Sequence, residues 1–164
     1  MARGRLAASH GALAGHLPYA GIVADVARFE RLRIRVFNAD GRLWPEPDQV
    51  PLDPRRVDPA RRLWLRHGTA VEKFGWDVRT VRSAQILPRL RPDPANLLCF
   101  QRGAEGEVAV LRIDDETARA VELIRSHPGQ LNAGAMGAIT GSGRLPEVLL
   151  GKLIAQGVIA GAQA

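Results

Sequence analysis

The chain has 164 residues, 46% of them hydrophobic and 24% charged, which suits one ordinary domain or two small ones and excludes wholesale disorder. Its single cysteine, Cys99, excludes an internal disulfide framework and a thiolate zinc site, and no run reaches the roughly 18 apolar residues of a membrane span. The formal net charge of +6 invites a nucleic-acid reading, but residues 1–100 carry 17 basic and 10 acidic side chains (+7) whereas residues 101–164 carry 6 and 7 (−1), so a DNA-reading element in the second part would lack the cations that neutralise phosphate.

At the start, Arg3 and Arg5 followed by alanines and Leu13 mimic a secretory signal. Ser9, His10 and Gly11 interrupt the apolar stretch, so residues 1–16 are expected to be a flexible N-terminal tail of a cytoplasmic protein. Residues 18–32 read as a helix: Pro18 suits its first turn, and Tyr19, Ile22, Val23, Val26 and Phe29 or Leu32 recur at three- and four-residue steps. Ile34 and Val36 alternate with Arg33 and Arg35, which fits a short strand, and Asn38-Ala39-Asp40-Gly41 signals a turn. Five prolines between residues 44 and 61 forbid a helix interior or a central strand there and predict an extended connector. Leu63-Trp64-Leu65 reads as a strand, and residues 69–76 are ambiguous. Asp77 is placed to cap a helix over Val78–Leu87, and Pro88, Pro92 and Pro94 predict a second connector.

From Asn96 the pattern sharpens. The apolar run Leu97–Phe100, a turn at Gly103–Gly106 and a strand over Val108–Ile113 make a β-hairpin. Asp114-Asp115-Glu116-Thr117 supplies an acidic helix start, and that helix ends before Pro128-Gly129. Residues 130–139 form a weak second helix, diluted by Gly134 and Gly137 at about 1 kcal/mol each relative to Ala. Pro146 opens a third helix, Gly157 ends it, and Val158-Ile159 extend it as an apolar tip. The expected class is α+β: an N-terminal helical or mixed, partner-docking region over 17–94, then a C-terminal winged-helix unit over 95–164. A piece of about 65 residues folds alone only marginally, so it is expected to pack against the N-terminal half.

The chain is poor in catalytic equipment. His10, His16, His67 and His127 form no metal-ligand spacing, and Cys99 sits in an apolar run with nothing nearby to lower its pKa. The Asp114–Glu116 cluster reads as helix capping rather than acid–base machinery, and no glycine-rich loop carries the Lys-Ser/Thr ending of a nucleotide site. No catalytic residue, metal ligand or cofactor is therefore expected on this chain. Trp44, Trp64 and Trp76 lie near arginines that include Arg62 and Arg66, as a partner interface or as a core or satellite cluster.

Two stretches carry a family resemblance. Val110-Leu111-Arg112-Ile113-Asp114-Asp115-Glu116-Thr117-Ala118, with the apolar helix around Val121–Ile124 and the ending Leu149 to Ile159, resembles the winged-helix recognition elements of ribosomally synthesised, post-translationally modified peptide (RiPP) pathways. Pro18-Tyr19 and Ala24-Asp25-Val26-Ala27-Arg28-Phe29-Glu30 are similar to a helix in partner subunits of multinuclear non-haem iron-dependent oxidative enzymes, such as the methanobactin-biosynthesis partner. The resemblance implies a non-catalytic but required subunit that binds a precursor (leader) peptide and presents it to a separate TIM-barrel iron oxidase, which supplies the iron ligands. It implies that the leader adds as a strand beside Val108–Ile113, facing the helix Pro146–Gln156. Carried over by position, the peptide-binding residues are Val108, Val110, Arg112, Leu149, Lys152 and Gln156, with Lys152 at the rim opposite an acidic leader residue.

Two other classes compete. A winged-helix DNA-binding transcription regulator needs base-reading side chains, and the second helix offers only Asn132 among alanines and glycines. A self-sufficient enzyme needs a catalytic constellation that the sequence does not display.

Overall fold

The computed structural model describes residues 19–39, 44–81, 87, 89–103, 106–141 and 143–162; the expected tail over 1–16 lies outside them. Ile22, Phe29, Leu32 and Val36 are the buried positions of one long helix, α1 (Ala20–Phe37). The strand expected at Ile34–Val36 is helix instead. Val36 falls on the stripe of Phe29 and Leu32 at three- and four-residue steps, and Ile34 is left 60% exposed. Tyr19 and Val23, expected on the buried face, are exposed.

The proline-rich connector is not the extended run expected: over 44–61 it turns three times, Gln49 N–H donating to the Glu46 carbonyl, Arg56 N–H to that of Asp53 and Arg61 N–H to that of Asp58, and between turns it contributes a three-residue strand, β1 (Gln49–Pro51). Strand β2 (Leu63–Leu65) forms as expected. Both pair antiparallel with β6 (Ile159–Ala162), giving a sheet of order β1-β6-β2. The tip Val158-Ile159, expected to extend a helix, instead turns back: Gly157 takes φ +67, and Ile159 to Gly161 become a central, buried strand. A short apolar run buried on both faces carries no alternation to announce a strand.

The ambiguous segment is β3 (Ala70–Trp76). After it, the helix expected over Val78–Leu87 is a 3-10 turn at Val78–Thr80 that ends in an extended Val81; Leu87 is again 3-10, and 82–86 lie outside the described residues. Strand β4 (Pro92–Arg102) starts earlier than expected and includes Pro92 and Pro94, which lie on its exposed first stretch where prolines are tolerated. It pairs with β5 (Val108–Ile113), and the sheet order is β3-β4-β5. Three helices follow: α2 (Asp115–Ser126), α3 (Ala133–Thr140) and α4 (Pro146–Ala155). Asp114 caps α2 through Thr117 N–H at 2.8 Å, and Asn132 caps α3 through Ala135 N–H at 2.8 Å. Pro146 opens α4 as expected. Gly137, read as a diluent of α3, has a packing reason: a Cβ there would stand 2.5 Å from the Arg144 carbonyl oxygen. The class is mixed α+β, as expected.

By packing, the chain divides into two units. The first joins residues up to Arg31 with Lys73–Asn96. In it Phe29 meets Phe74 edge-on at 6.0 Å between ring centroids, and the Arg28 guanidinium lies 4.7 Å over the Phe74 ring. The second joins Leu32–Glu72 with Leu97–Ala164. Its core gathers Val57 and Leu63, Cys99 and Ile113, and the inner faces of α2, α3 and α4, including Val121, Ile124, Met136, Leu150 and Leu153, then Val158 and Ile159. Each such Leu or Ile contributes about 1.5–3 kcal/mol by burial. The C-terminal helices therefore share one core with β2 and β6. Among the described residues no helix is long and apolar enough to cross a membrane.

Candidate functional site

The sheet edges differ in what covers them. On β3, Asp25 Oδ2 accepts from Gly75 N–H at 2.7 Å and Arg28 donates to the Lys73 carbonyl, so side chains of α1 occupy its main-chain groups. On β2, Leu63 N–H donates to the Leu131 carbonyl at 2.9 Å and its carbonyl accepts from Gly129 N–H at 3.0 Å, so the turn between α2 and α3 closes that side. Strand β1 is three residues long and ends in Pro51. Strand β5 is different: six residues, no proline, one charge, and β4 as its only strand neighbour among the described residues.

The hydrogen-bond phase of β5 follows from its register. Leu97 faces Ile113, Cys99 faces Leu111 and Gln101 faces Ala109; one step further, Gly103 N–H donates to the Glu107 carbonyl at 2.7 Å. Hydrogen-bonded and non-hydrogen-bonded pairs alternate in an antiparallel ladder. Ala109, Leu111 and Ile113 therefore spend their main-chain groups on β4. Val108, Val110 and Arg112 turn their N–H and C=O groups away from β4, toward the outer edge. These are the three strand residues singled out in the sequence, and the ladder phase places their main-chain groups, not those of Ala109, Leu111 and Ile113, on the side away from β4. Their side chains share the face opposite Leu111 and Ile113, which pack into the core.

The helix residues separate. Leu149 is 2% exposed and sits in the core, its carbonyl accepting from the Thr117 hydroxyl at 3.1 Å. Lys152 and Gln156 are exposed. Gln156 ends α4, and its carbonyl accepts from Gln101 Nε2 at 2.7 Å, tying the end of the helix to β4.

Beside this tie lies a cavity of about 310 Å³, bounded by Gln101, Gly103, Glu107 and Ala109 of the hairpin, by Ile154, Gln156 and Gly157 at the end of α4, and by Trp44, Leu52, Arg66 and Ile159. Trp44 Nε1 donates to the Gly157 carbonyl at 2.5 Å. Arg66 is half-buried; burial pushes its guanidinium pKa down, the field of Glu107 raises it and that of Arg102 lowers it. Of the other aromatic candidates, Trp64 is half-buried on β2 and stacks close to Gly129, whose Cβ would stand 2.3 Å from its ring. Trp76 is half-buried at the end of β3, its carbonyl accepting from Asn96 Nδ2 at 2.6 Å. Trp76 belongs to the first unit and Trp44 and Trp64 to the second. Arg62 is exposed and bridges to Asn132 across main chain. The cavity and the covering of the other edges were invisible in sequence, because residues 44, 66, 101 and 156 converge only through the fold.

Cys99 and the Asp114–Glu116 cluster are held by their surroundings. Burial pushes the Cys99 thiol up to about 12, which leaves essentially no thiolate at neutral pH. Burial alone would raise the Asp114 carboxyl, but hydrogen bonds from Thr117 and Arg144 outweigh it and hold it at about 2. Arg144 bridges Asp114 at 3.0 Å and Glu116 at 2.9 Å, so the acidic cluster caps and pairs at the start of α2. Among the described residues no group of three or more His, Cys, Asp or Glu side chains is arranged to hold a metal ion. No protein-family model matches the chain, and no curated protein is similar to it in sequence.

Proposed function

We propose that this chain is an accessory subunit that binds a ribosomally synthesised precursor peptide and presents it to a separate iron-dependent oxidative enzyme of the TIM-barrel type, in the cytoplasm. On this reading β3–β5 and α2–α4 act as a winged-helix recognition element, and the leader peptide adds as a fourth strand against β5. The observation that carries the reading is the contrast among edges: β3 and β2 have their outward main-chain groups met from within the chain, whereas β5 offers six proline-free residues. Proteins ordinarily blunt such an edge, and an edge kept long and proline-free is a template for strand addition. Affinity then comes from main-chain bonds at Val108, Val110 and Arg112, with Lys152 and Gln156 at the rim. Of the residues expected at a partner interface, Trp64, Trp76 and Arg62 are the candidates for contact with the enzyme partner, while Trp44 and Arg66 line the cavity beside β5. The iron and its ligands belong to that partner.

The reading expects a barrel protein and a short precursor to be encoded beside the gene, and the test is co-expression of the chain with such a pair. The expected result is one complex on size exclusion at micromolar concentration, with amide exchange at Val108 and Val110 slowed by the precursor. Separation of the chain from both would refute the reading.

A further inference from the structure

The cavity at the end of α4 has a polarity that the β5 edge alone does not explain. Arg66 lines it, and no described carboxylate comes within the 4.0 Å of an ion pair. Its guanidinium is partly stripped of water and is within the field of Glu107, which lines the same cavity. Gln101 in the wall is 3% exposed; its Nε2 is committed to the Gln156 carbonyl, and its Oε1 is buried with no hydrogen-bond partner. A partly desolvated cation with no ion-pair partner among the described residues is an incomplete arrangement that asks for an anion, whereas the Gln101 Oε1 asks for an N–H donor, which a peptide main chain carries and an ionised carboxylate does not. Ala109 lies on the face of β5 that lines the cavity, so every second side chain of a strand laid along β5 projects to that same side.

We propose that this cavity is a carboxylate pocket that takes an aspartate or glutamate side chain of the bound peptide, with Arg66 as its counter-ion and Trp44 as its wall. The peptide as the source of that side chain rests on the strand-addition reading above; the carboxylate chemistry of the cavity does not. Glu107 sets the selectivity. It is exposed at the rim, it partly offsets the Arg66 charge, and it opposes an incoming anion. Arg66 and Glu107 therefore act on the same ligand with opposite sign, a pattern that a merely structural role for either would not produce.

The test uses the full-length chain with N-acetyl-aspartate N-methylamide as the probe and the corresponding asparagine compound as control, read by the NMR shift of the Trp44 indole N–H, assigned with Trp44→Phe. The aspartate probe is expected to saturate the shift in the millimolar range and the asparagine probe to bind at least about tenfold more weakly. Arg66→Gln removes the preference for aspartate, Arg66→Lys retains part of it, and Glu107→Gln tightens aspartate binding about two- to threefold at low salt, an effect that added salt reduces. No shift with the aspartate probe, equal binding of both probes, or weaker binding by Glu107→Gln overturns the proposal. Probe binding without any peptide-induced protection at Val108 and Val110 would keep the carboxylate pocket and discard the peptide as its source. Peptide protection without probe binding would do the reverse.

Discussion

Proline substitutions at two neighbouring residues of β5 separate an open edge from a paired one. Leu111 N–H donates into the ladder toward Cys99, which is fully buried, whereas Val110 N–H points to the outer edge. Proline removes the N–H at either position. Referring each proline variant to the alanine variant at the same position cancels the lost side chain. The Leu111→Pro to Leu111→Ala difference then contains the deserted Cys99 carbonyl, about 1–3 kcal/mol for a buried acceptor left without its donor. The Val110→Pro to Val110→Ala difference contains only the backbone adjustment, since edge strands accept proline where the N–H faces outward. The expected gap between the two differences is about 2 kcal/mol, which for a chain of this size is a melting-temperature gap of about 4–8 °C. Thermal unfolding by circular dichroism measures it. A Val110 difference as large as the Leu111 difference would show that the Val110 N–H is already engaged, and the reasoning about β5 would fail. With the edge open, Val110→Pro keeps the fold and loses the strand-adding peptide.

Three further outcomes follow from the geometry. Without any peptide, amide exchange along β5 should alternate, slow at Ala109, Leu111 and Ile113 and fast at Val108 and Val110; uniform protection in NMR exchange would mean that the edge is covered. Asp114→Ala should cost about 1 kcal/mol of stability by losing the α2 cap, while Asp114→Asn keeps the cap and removes the charge. Because the folded Asp114 carboxyl is held at about 2, below its ordinary 3.8, its charge-dependent contribution is present above about pH 4 and is lost as the pH falls toward 2; acid titration of the wild type against Asp114→Asn detects it, and the effect is small because that side chain is 54% exposed. Gly129→Ala should destabilise the second unit by at least 1–2 kcal/mol, since its φ is +66 and the new Cβ would meet the Trp64 ring at 2.3 Å; an unchanged melting temperature would contradict that packing.

The C-terminal elements were legible because their signals are local. Asp114 and Asn132 cap, Pro146 opens α4, Gly157 ends it, and the hairpin alternates around its turn, so the order of strand, strand, helix, helix, helix could be read directly. The failures occur where distant residues decide. Arg33 to Val36 alternate like a strand, but Val36 completes the helical stripe begun at Ile22, and a period of two over four residues cannot compete with a stripe of fifteen. Val158 to Gly161 carry no alternation at all, and what makes them a strand is the pair β1 and β2, about a hundred residues earlier. The cavity belongs to the same class: Trp44, Arg66, Gln101 and Gln156 have no spacing that links them, and the hydrogen bonds from Trp44 to Gly157 and from Gln101 to Gln156 create the wall.

For the site, the family resemblance selected Val108, Val110 and Arg112 by position, and the hydrogen-bond phase of the same strand turns their main-chain groups, rather than their side chains, to the outer edge. The distinction changes how the site has to be probed. Alanine at any of the three leaves the outward N–H and C=O in place, so an alanine scan of β5 would find weak effects and miss the edge. The side chains of an added strand, in contrast, alternate between the solvent face and the side where Ala109 lines the cavity. Main-chain bonds of this kind accept almost any sequence, so discrimination between peptides must come from the groups that the alternate side chains meet. In the proposed complex the groups on the core side include the Arg66 cation, and a peptide register that brings an acid to it would be distinguished from a register one residue away, which turns that acid to the opposite face.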